Sequence, residues 1–312
     1  MFYEPTSDAG SVKDVFKKNL EVIEGVFSYP ITNRTTKKVT SFYDVEPFPN
    51  YSNADNNLSI IEKGDSNQFS KRLKDFIGYN RSFLEVGAGT GQLSNYLAIG
   101  TNNQIYALDP TFESIKLGKD FAGKNSILNI NFVRADIFDD VFKSESIDVV
   151  WCSGVLHHTK DPKKGFEIIS KYVKKEGTII VGLYNRCGRL RTYVRGCFFK
   201  IFGEKFLKIF DPVLRKIKSD DTRKINSWIR DQYIHPVESV HSFDEVIKWF
   251  DENDIEFVNS YPSCEMTMDG NVDYFERKSK GTMCERIFQQ IAMIFSSLGG
   301  EGGLFIFIGR KK

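Results

Sequence analysis

No run in this 312-residue chain approaches the ~18–20 apolar residues of a membrane-spanning helix. The N-terminus is polar and mixed in charge through Glu24, with no apolar core of the signal-peptide kind. Cysteine is sparse: Cys152, Cys187, Cys197, Cys264 and Cys284 are odd in number, scattered and without a Cys-x-x-Cys pair. That excludes a disulfide framework and a zinc knuckle. Net charge is only +2, so the whole molecule is not a polyanion binder. Internal repeats and low-complexity segments are absent. Histidine is scarce as well, and its residues fall at two places, His157-His158 and His235 with His241. What remains, at 41% apolar composition, can bury one large core with appendages. The expectation is a soluble cytoplasmic protein.

The informative stretch runs from Phe83 to Gly91, where an apolar strand delivers Glu85 and then Gly87, Gly89 and Gly91 at alternate positions. Glycines there let the backbone turn tightly at a strand end and approach a flat ligand. Dinucleotide loops space their glycines Gly-x-Gly-x-x-Gly, with the third at a helix N-terminus beside a pyrophosphate. Here Gly91 comes one residue early and Gln92 takes the place of that third glycine. Glu85 suits a ligand with a positive amino group better than a pyrophosphate. S-adenosylmethionine is such a ligand, and NAD and FAD are not expected to bind.

Further strand ends carry acids in order. Gln104 to Leu108 reads as a second strand ending at Asp109-Pro110, about twenty residues after the glycines, where a doubly wound fold binds ribose hydroxyls. Asn131 to Ala135 reads as a third, ending at Asp136-Ile137, a carboxylate and an apolar side chain suited to an adenine. Ile147 to Cys152 is a fourth, followed by Ser153 and the run Gly154-Val155-Leu156-His157-His158-Thr159-Lys160-Asp161-Pro162. Lys174-Lys175-Glu176-Gly177 then turns into a fifth, Thr178 to Tyr184.

Over roughly Arg81 to Tyr184 this ordered set resembles the class I S-adenosylmethionine-dependent methyltransferases. The run from Gly154 to Pro162 is most similar to the branch containing the ubiquinone and menaquinone biosynthesis enzymes. The resemblance implies a doubly wound, Rossmann-like α/β fold with a seven-stranded, mostly parallel sheet. It implies cofactor contacts from Glu85, Gly87, Ala88, Gly89, Gly91, Gln92, Asp109, Pro110, Asp136, Ile137 and Ser153. Two positions depart from the pattern: Glu176 stands where proline is common, and Cys152-Ser153-Gly154 replaces the Asn-Pro-Pro-Tyr loop of nucleobase amino-group methylation. The second departure argues against a nucleic-acid base as acceptor.

The rest of the chain divides around that core, taken as 81–185. Residues 1–80 read as an N-terminal cap, with helical patterns at Val12 to Glu24 and Asn57 to Ile77. Between them Phe42 to Tyr51, with two prolines and four aromatics, is expected to be an irregular ordered cover. Residues 186–241 read as an inserted lid. In 242–312, Ser242 to Asn253 is a helix opened by a Ser242/Glu245 capping box. Ile255 to Ser260 and Gly303 to Arg310 supply the sixth and seventh strands, with an insertion at 261–302. Cap and lid are expected to enclose an acceptor; a role in homo-oligomer contact stays open.

From Arg186 to Lys218 the insertion holds ten Lys or Arg against Glu204 and Asp211, interleaved with phenylalanines. A packed helix, membrane-surface contact through 193–218 and an anionic acceptor all remain open, with nucleic acid the weakest fit. Methyl transfer needs mainly in-line placement and exclusion of water, with a base only for a weakly acidic acceptor. His158, then His157 and His235, are the candidates for that base. Tyr51, Tyr184, Arg186, Tyr233, His235, Glu238 and His241 are the candidates for acceptor contacts. His235-x-x-Glu238-x-x-His241 has ligand types suited to zinc or iron, but Pro236 interrupts a helix and methyl transfer needs no metal, so none is expected. The combined expectation is an S-adenosylmethionine-dependent methyltransferase acting on a small or medium-sized organic acceptor. Oxygen is favoured, with sulfur and nitrogen open. A peripheral membrane enzyme acting on a lipid or quinone and an inactive cofactor-binding scaffold are the alternatives.

Overall fold

A computed structural model describes residues 14–44, 47, 51–52, 55–217, 222–266, 273–295 and 302–312. Its frame is a nine-stranded sheet. In chain order the strands are β1 (Glu21–Ile23), β2 (Val26–Ser28), β3 (Ser82–Val86), β4 (Gln104–Asp109) and β5 (Ile130–Arg134). They continue as β6 (Ile147–Ser153), β7 (Val173–Tyr184), β8 (Ile255–Tyr261) and β9 (Leu304–Lys311). The spatial order is β1-β2-β5-β4-β3-β6-β7-β9-β8. β5, β4, β3, β6 and β7 run parallel, and β9 lies antiparallel between β7 and β8.

In β3, β6 and β7 the central residues Phe83 and Leu84, Val149 and Val150, and Ile179, Ile180 and Val181 are buried on both faces of the sheet, which is why they are apolar without alternation. One face packs Phe166, Ile169 and Phe250 against Leu84, Val150 and Val181. The other packs Leu73, Ile77 and Leu97 against Phe83, Val149 and Ile180. Neighbouring residues of one strand thus serve opposite layers, as the two-residue period requires.

The seven expected strands are present, and a hairpin adds two more at the far edge. The helix anticipated from Val12 to Glu24 is not formed in its described part. Phe16 bridges to Phe142, and Glu21–Ile23 pairs with Val26–Ser28. The cause is Glu24-Gly25, both at positive φ (50° and 75°), which makes a two-residue hairpin turn whose twist suits the flanking strands. Asn57 to Ile77 is two helices, Asn57–Ser66 and Gln68–Ile77, because the Asn67 side chain accepts from Ser70 N and starts a new one. Helix Arg34–Asp44 takes in Phe42 and Tyr43, which were expected in an irregular segment; it ends before Pro47. Residues 45, 46 and 48–50 of that segment lie outside the described residues.

After β7 the insertion forms helices Leu190–Phe202 and Glu204–Phe210, separated by Gly203, then Thr222–Ile229 and a π turn Arg230–Ile234. These have a small core of their own in Leu207, Leu214, Ile225, Trp228 and Ile229. Asp211, buried, ties it together by accepting from Trp228 Nε1, Tyr233 Oη and the Val213 and Leu214 amides.

Candidate active site

β3 delivers the chain into Gly87, Gly89 and Gly91, all at positive φ. At Gly87 a Cβ would lie 2.1 Å from Val155 Cγ2, so only glycine fits that crossing. Gly91 opens helix Gln92–Ala98, whose Ser94 donates from its amide (3.0 Å) and its hydroxyl (2.5 Å) to Glu85 Oε2. Asp109 at the end of β4 accepts from Gly89 N and Thr111 N, each at 2.8 Å. It therefore holds the glycine loop in shape as well as facing the space above it. Asp136 accepts from Phe138 N and from Thr36 Oγ1 of helix Arg34–Asp44.

Above these strand ends lies a cavity of about 840 Å³. Glu85, Gly87, Ala88, Gly89, Gln92, Asp109, Pro110, Asp136, Ile137 and Ser153 all line it. Gly91 does not; it turns behind the wall against Phe132. Of the residues expected on the acceptor side, His158 and Tyr184 line the cavity. The His158 ring lies 3.7 Å, centroid to centroid, from that of His235, which the insertion carries in. Both Nδ1 atoms meet the Val237 carbonyl, at 2.7 Å and 2.6 Å. An Nδ1–H on His158 leaves its Nε2 as a proton acceptor.

The other candidates are not brought to the cavity wall, each for a visible reason. His157 is fully buried behind it, stacked on Tyr184 at 4.0 Å, with no hydrogen-bond partner on either ring nitrogen. Tyr51 stacks on Phe121 on the outer side and donates to the Thr90 carbonyl. Tyr233 donates to Asp211, and Arg186 is exposed, its amide bonded to the His241 carbonyl. Glu238 is taken by the buried Arg189. His241 bonds Glu245 and Ser239. His235, Glu238 and His241 thus serve different partners. Among the described residues no three His, Cys, Asp or Glu side chains converge to hold a metal ion.

Several wall residues escaped sequence reading. Thr36, Val39 and Tyr43 come from helix Arg34–Asp44, whose Val39, Phe42 and Tyr43 spacing of three and four was its signal. Tyr43 donates to Asp231 at 2.8 Å, and Arg230 donates to the Phe42 carbonyl at 2.7 Å. N-terminal helix and insertion therefore clasp each other at the cavity. Phe69, Trp151, Tyr261 and Tyr274 form an aromatic wall, with Phe69 centred 4.6 Å from Tyr274 and 5.6 Å from Trp151.

Burial sets the electrostatics. It raises the Glu85 carboxyl to about 8, against the lowering effect of the Ser94 bonds, and raises Asp109 above the usual carboxylate range. Burial lowers the imidazoles: His158 lies below its ordinary value, despite the raising effect of Asp231, and His235 is near 3. Since the folded value for Glu85 exceeds the unfolded ~4.3, its contribution is full below about pH 4 and is lost as pH rises through about 8. Ligand-free protein should therefore melt at progressively lower temperature from pH 5 to pH 8 on this group's account. Glu85→Gln should flatten that slope in a calorimetric series; an unchanged slope would deny the buried carboxyl this role.

Residues 84–181 match the family described as methyltransferase domain. Among curated proteins, an uncharacterized protein of Synechococcus is 22% identical over 196 residues, covering 56% of this chain and 47% of the relative. The uncharacterized methyltransferase YcgJ of Bacillus subtilis is 25% identical over 99 residues, 31% of this chain and 38% of that protein. The chain spans less than half the length of the curated relatives it matches. Among solved structures, PKMT2 of Rickettsia typhi superposes with a TM-score of 0.54 at 15% identity, over 91% of this chain and 54% of that one. Geranyl diphosphate C-methyltransferase of Streptomyces coelicolor gives 0.51 at 11% identity, over 90% and 100%. At those identities the structures speak to fold. The matched residues, 84–181, make the core of this chain similar to a methyltransferase domain.

Proposed function

We propose that the whole protein methylates an uncharged, small or medium-sized organic acceptor with an apolar, flat body, oxygen being the favoured atom. The observation that carries this is the lining of the cavity. Glu85, Asp109, Asp136 and Asp231 face it, and so does the aromatic wall, but no Lys or Arg among the described residues does. A phosphate or carboxylate on the acceptor would lose its hydration there and gain no counter-charge. The basic insertion, which left an anionic acceptor open in the sequence, turns its Arg189 to Glu238 and its Arg186 to solvent.

The donor set suits the cofactor. Glu85, whose carboxyl burial raises, would hold the amino group of S-adenosylmethionine; Asp109 would take the ribose hydroxyls, and Asp136 with Ile137 the adenine. S-adenosylmethionine supplies a methyl group already activated on a sulfonium. The protein's own work is to place the acceptor oxygen in line, to exclude water under the clasp of Tyr43 and Asp231, and to receive the hydroxyl proton at His158 Nε2. The O–H electron pair would then serve the new O–CH₃ bond, the S–CH₃ bond breaking with its pair left on sulfur. Oxygen is favoured by that histidine and by the likeness of Gly154 to Pro162 to the quinone-pathway branch. Polar side chains kept at every cofactor strand end argue against an inactive scaffold.

Incubation with isotopically labelled cofactor and a metabolite extract should give mass-shifted products of low charge. S-adenosylhomocysteine should bind in calorimetry, and Asp109→Ala should weaken it by about 1.5–3 kcal/mol per charged hydrogen bond lost. Binding of NAD with no heat from S-adenosylhomocysteine would overturn the reading, and products confined to carboxylated or phosphorylated acceptors would overturn the acceptor class alone.

A further inference from the structure

We infer that the outer face of the insertion is a docking surface for an anionic lipid bilayer. Helices Leu190–Phe202 and Glu204–Phe210 bury only Thr192 and Leu207. What they expose is apolar: Ile201 is 72% exposed, Ile209 63%, Phe202 61% and Phe210 56%. The rings form a continuous row, Phe198 and Phe202 each against Phe206 (5.3 Å and 6.0 Å) and Phe206 against Phe210 (4.5 Å). The small core of the insertion does not need this row. Leu207, Leu214, Ile225, Trp228 and Ile229 close it, and only Phe199 and Phe206 of the five phenylalanines lean on it. An isolated exposed leucine needs no explanation, but an aromatic row of this length on one face marks a contact surface.

Charge selects the occupant. Lys200, Lys205 and Lys208 are interleaved with the rings and exposed. The two acids of this stretch do little to offset them, because Asp211 is buried and Glu204 lies beside Lys208. A second copy of the same face would set lysine against lysine. An anionic lipid surface neutralises the lysines while the rings enter the headgroup boundary, the pattern of an interfacial amphipathic helix. Among the described residues no helix is long and apolar enough to cross a membrane, so the contact is peripheral.

The full chain should co-sediment with vesicles of phosphatidylcholine containing roughly one-third phosphatidylserine, and far less with phosphatidylcholine alone. Phe202→Ser with Phe210→Ser should weaken that binding by roughly tenfold or more. Lys200→Glu with Lys205→Glu should abolish the preference for anionic vesicles. S-adenosylhomocysteine calorimetry, expected to be unchanged in both variants, shows that each is folded. Equal or absent binding to the two vesicles, or folded variants that bind like the parent, would overturn the inference. So would a concentration-dependent dimer dispersed by the phenylalanine substitutions, which would give the face to a second copy.

Discussion

Replacing Arg189 by methionine is expected to lower unfolding stability by about 3–5 kcal/mol in a denaturant titration. The guanidinium is fully buried, yet every side of it is used. Nε and Nη2 donate to the two oxygens of Glu238 at 3.1 Å and 2.5 Å, and Nη1 donates to Gln232 Oε1 at 2.7 Å. The flat group lies 3.8 Å over the Tyr184 ring at the end of β7. Methionine fills much of the volume but leaves the Glu238 charge, 14% exposed, without its cation and with the Tyr193 hydroxyl in place of the guanidinium. Because Gln232 also donates to Tyr184 Oη and to Asp231, the loss would loosen the end of the insertion where it meets the cavity. Adding Glu238→Gln should recover part of the loss, since the orphaned charge goes with it. A loss below about 1 kcal/mol, the scale of an exposed pair, would show that the cluster does not fasten the insertion.

That cluster also shows where sequence reading stops. The placement of the strand-end residues around the cavity was legible because it is local: each acid or glycine sits at the end of a strand whose apolar run announces it, and the fold fixes strand order. Glu85, Asp109 and Asp136 needed no knowledge of distant contacts. The rest of the cavity depends on pairings across long separations. Nothing near Glu238 says that Arg189 will claim it, and nothing near Tyr43 points to Asp231, 188 residues away. His157 and His158 differ by one position, yet a short 3₁₀ turn, Leu156–His158, sends one ring behind Tyr184 and the other to the cavity. The β1–β2 hairpin was missed for a different reason: its turn rests on Glu24 at positive φ, a conformation seldom announced by glutamate. In the insertion, composition was correctly read as basic and aromatic, but which rings face inward is decided by the small core around Leu207.

The largest kinetic effect should come from His158. His158→Ala is expected to lower kcat by about 10²–10⁴-fold while S-adenosylhomocysteine affinity stays near that of the parent, because the residues proposed to hold the cofactor lie on other strands. The argument joins geometry to protonation. The Val237 carbonyl fixes the Nδ1–H, His235 stacks on the ring, and His158 lines the cavity beside Tyr184 and Asp231. Burial keeps the imidazole below its ordinary pKa and so neutral near pH 7, the form a base requires. The rate should therefore be level through the usual histidine range and fall only in more acid solution. Asp231→Asn should shift that fall to still lower pH, since the Asp231 carboxylate is the largest of the influences, with the Val237 bond and Glu238, that raise the ring's value against burial. His157→Phe offers the contrast: this ring bonds nothing and packs on Tyr184, so turnover should survive apart from any loss of stability. Parent-like turnover in His158→Ala would remove the base, and with it the reason to favour an oxygen acceptor over a nitrogen whose lone pair attacks before any proton is lost, or a thiol acidic enough to ionise unaided.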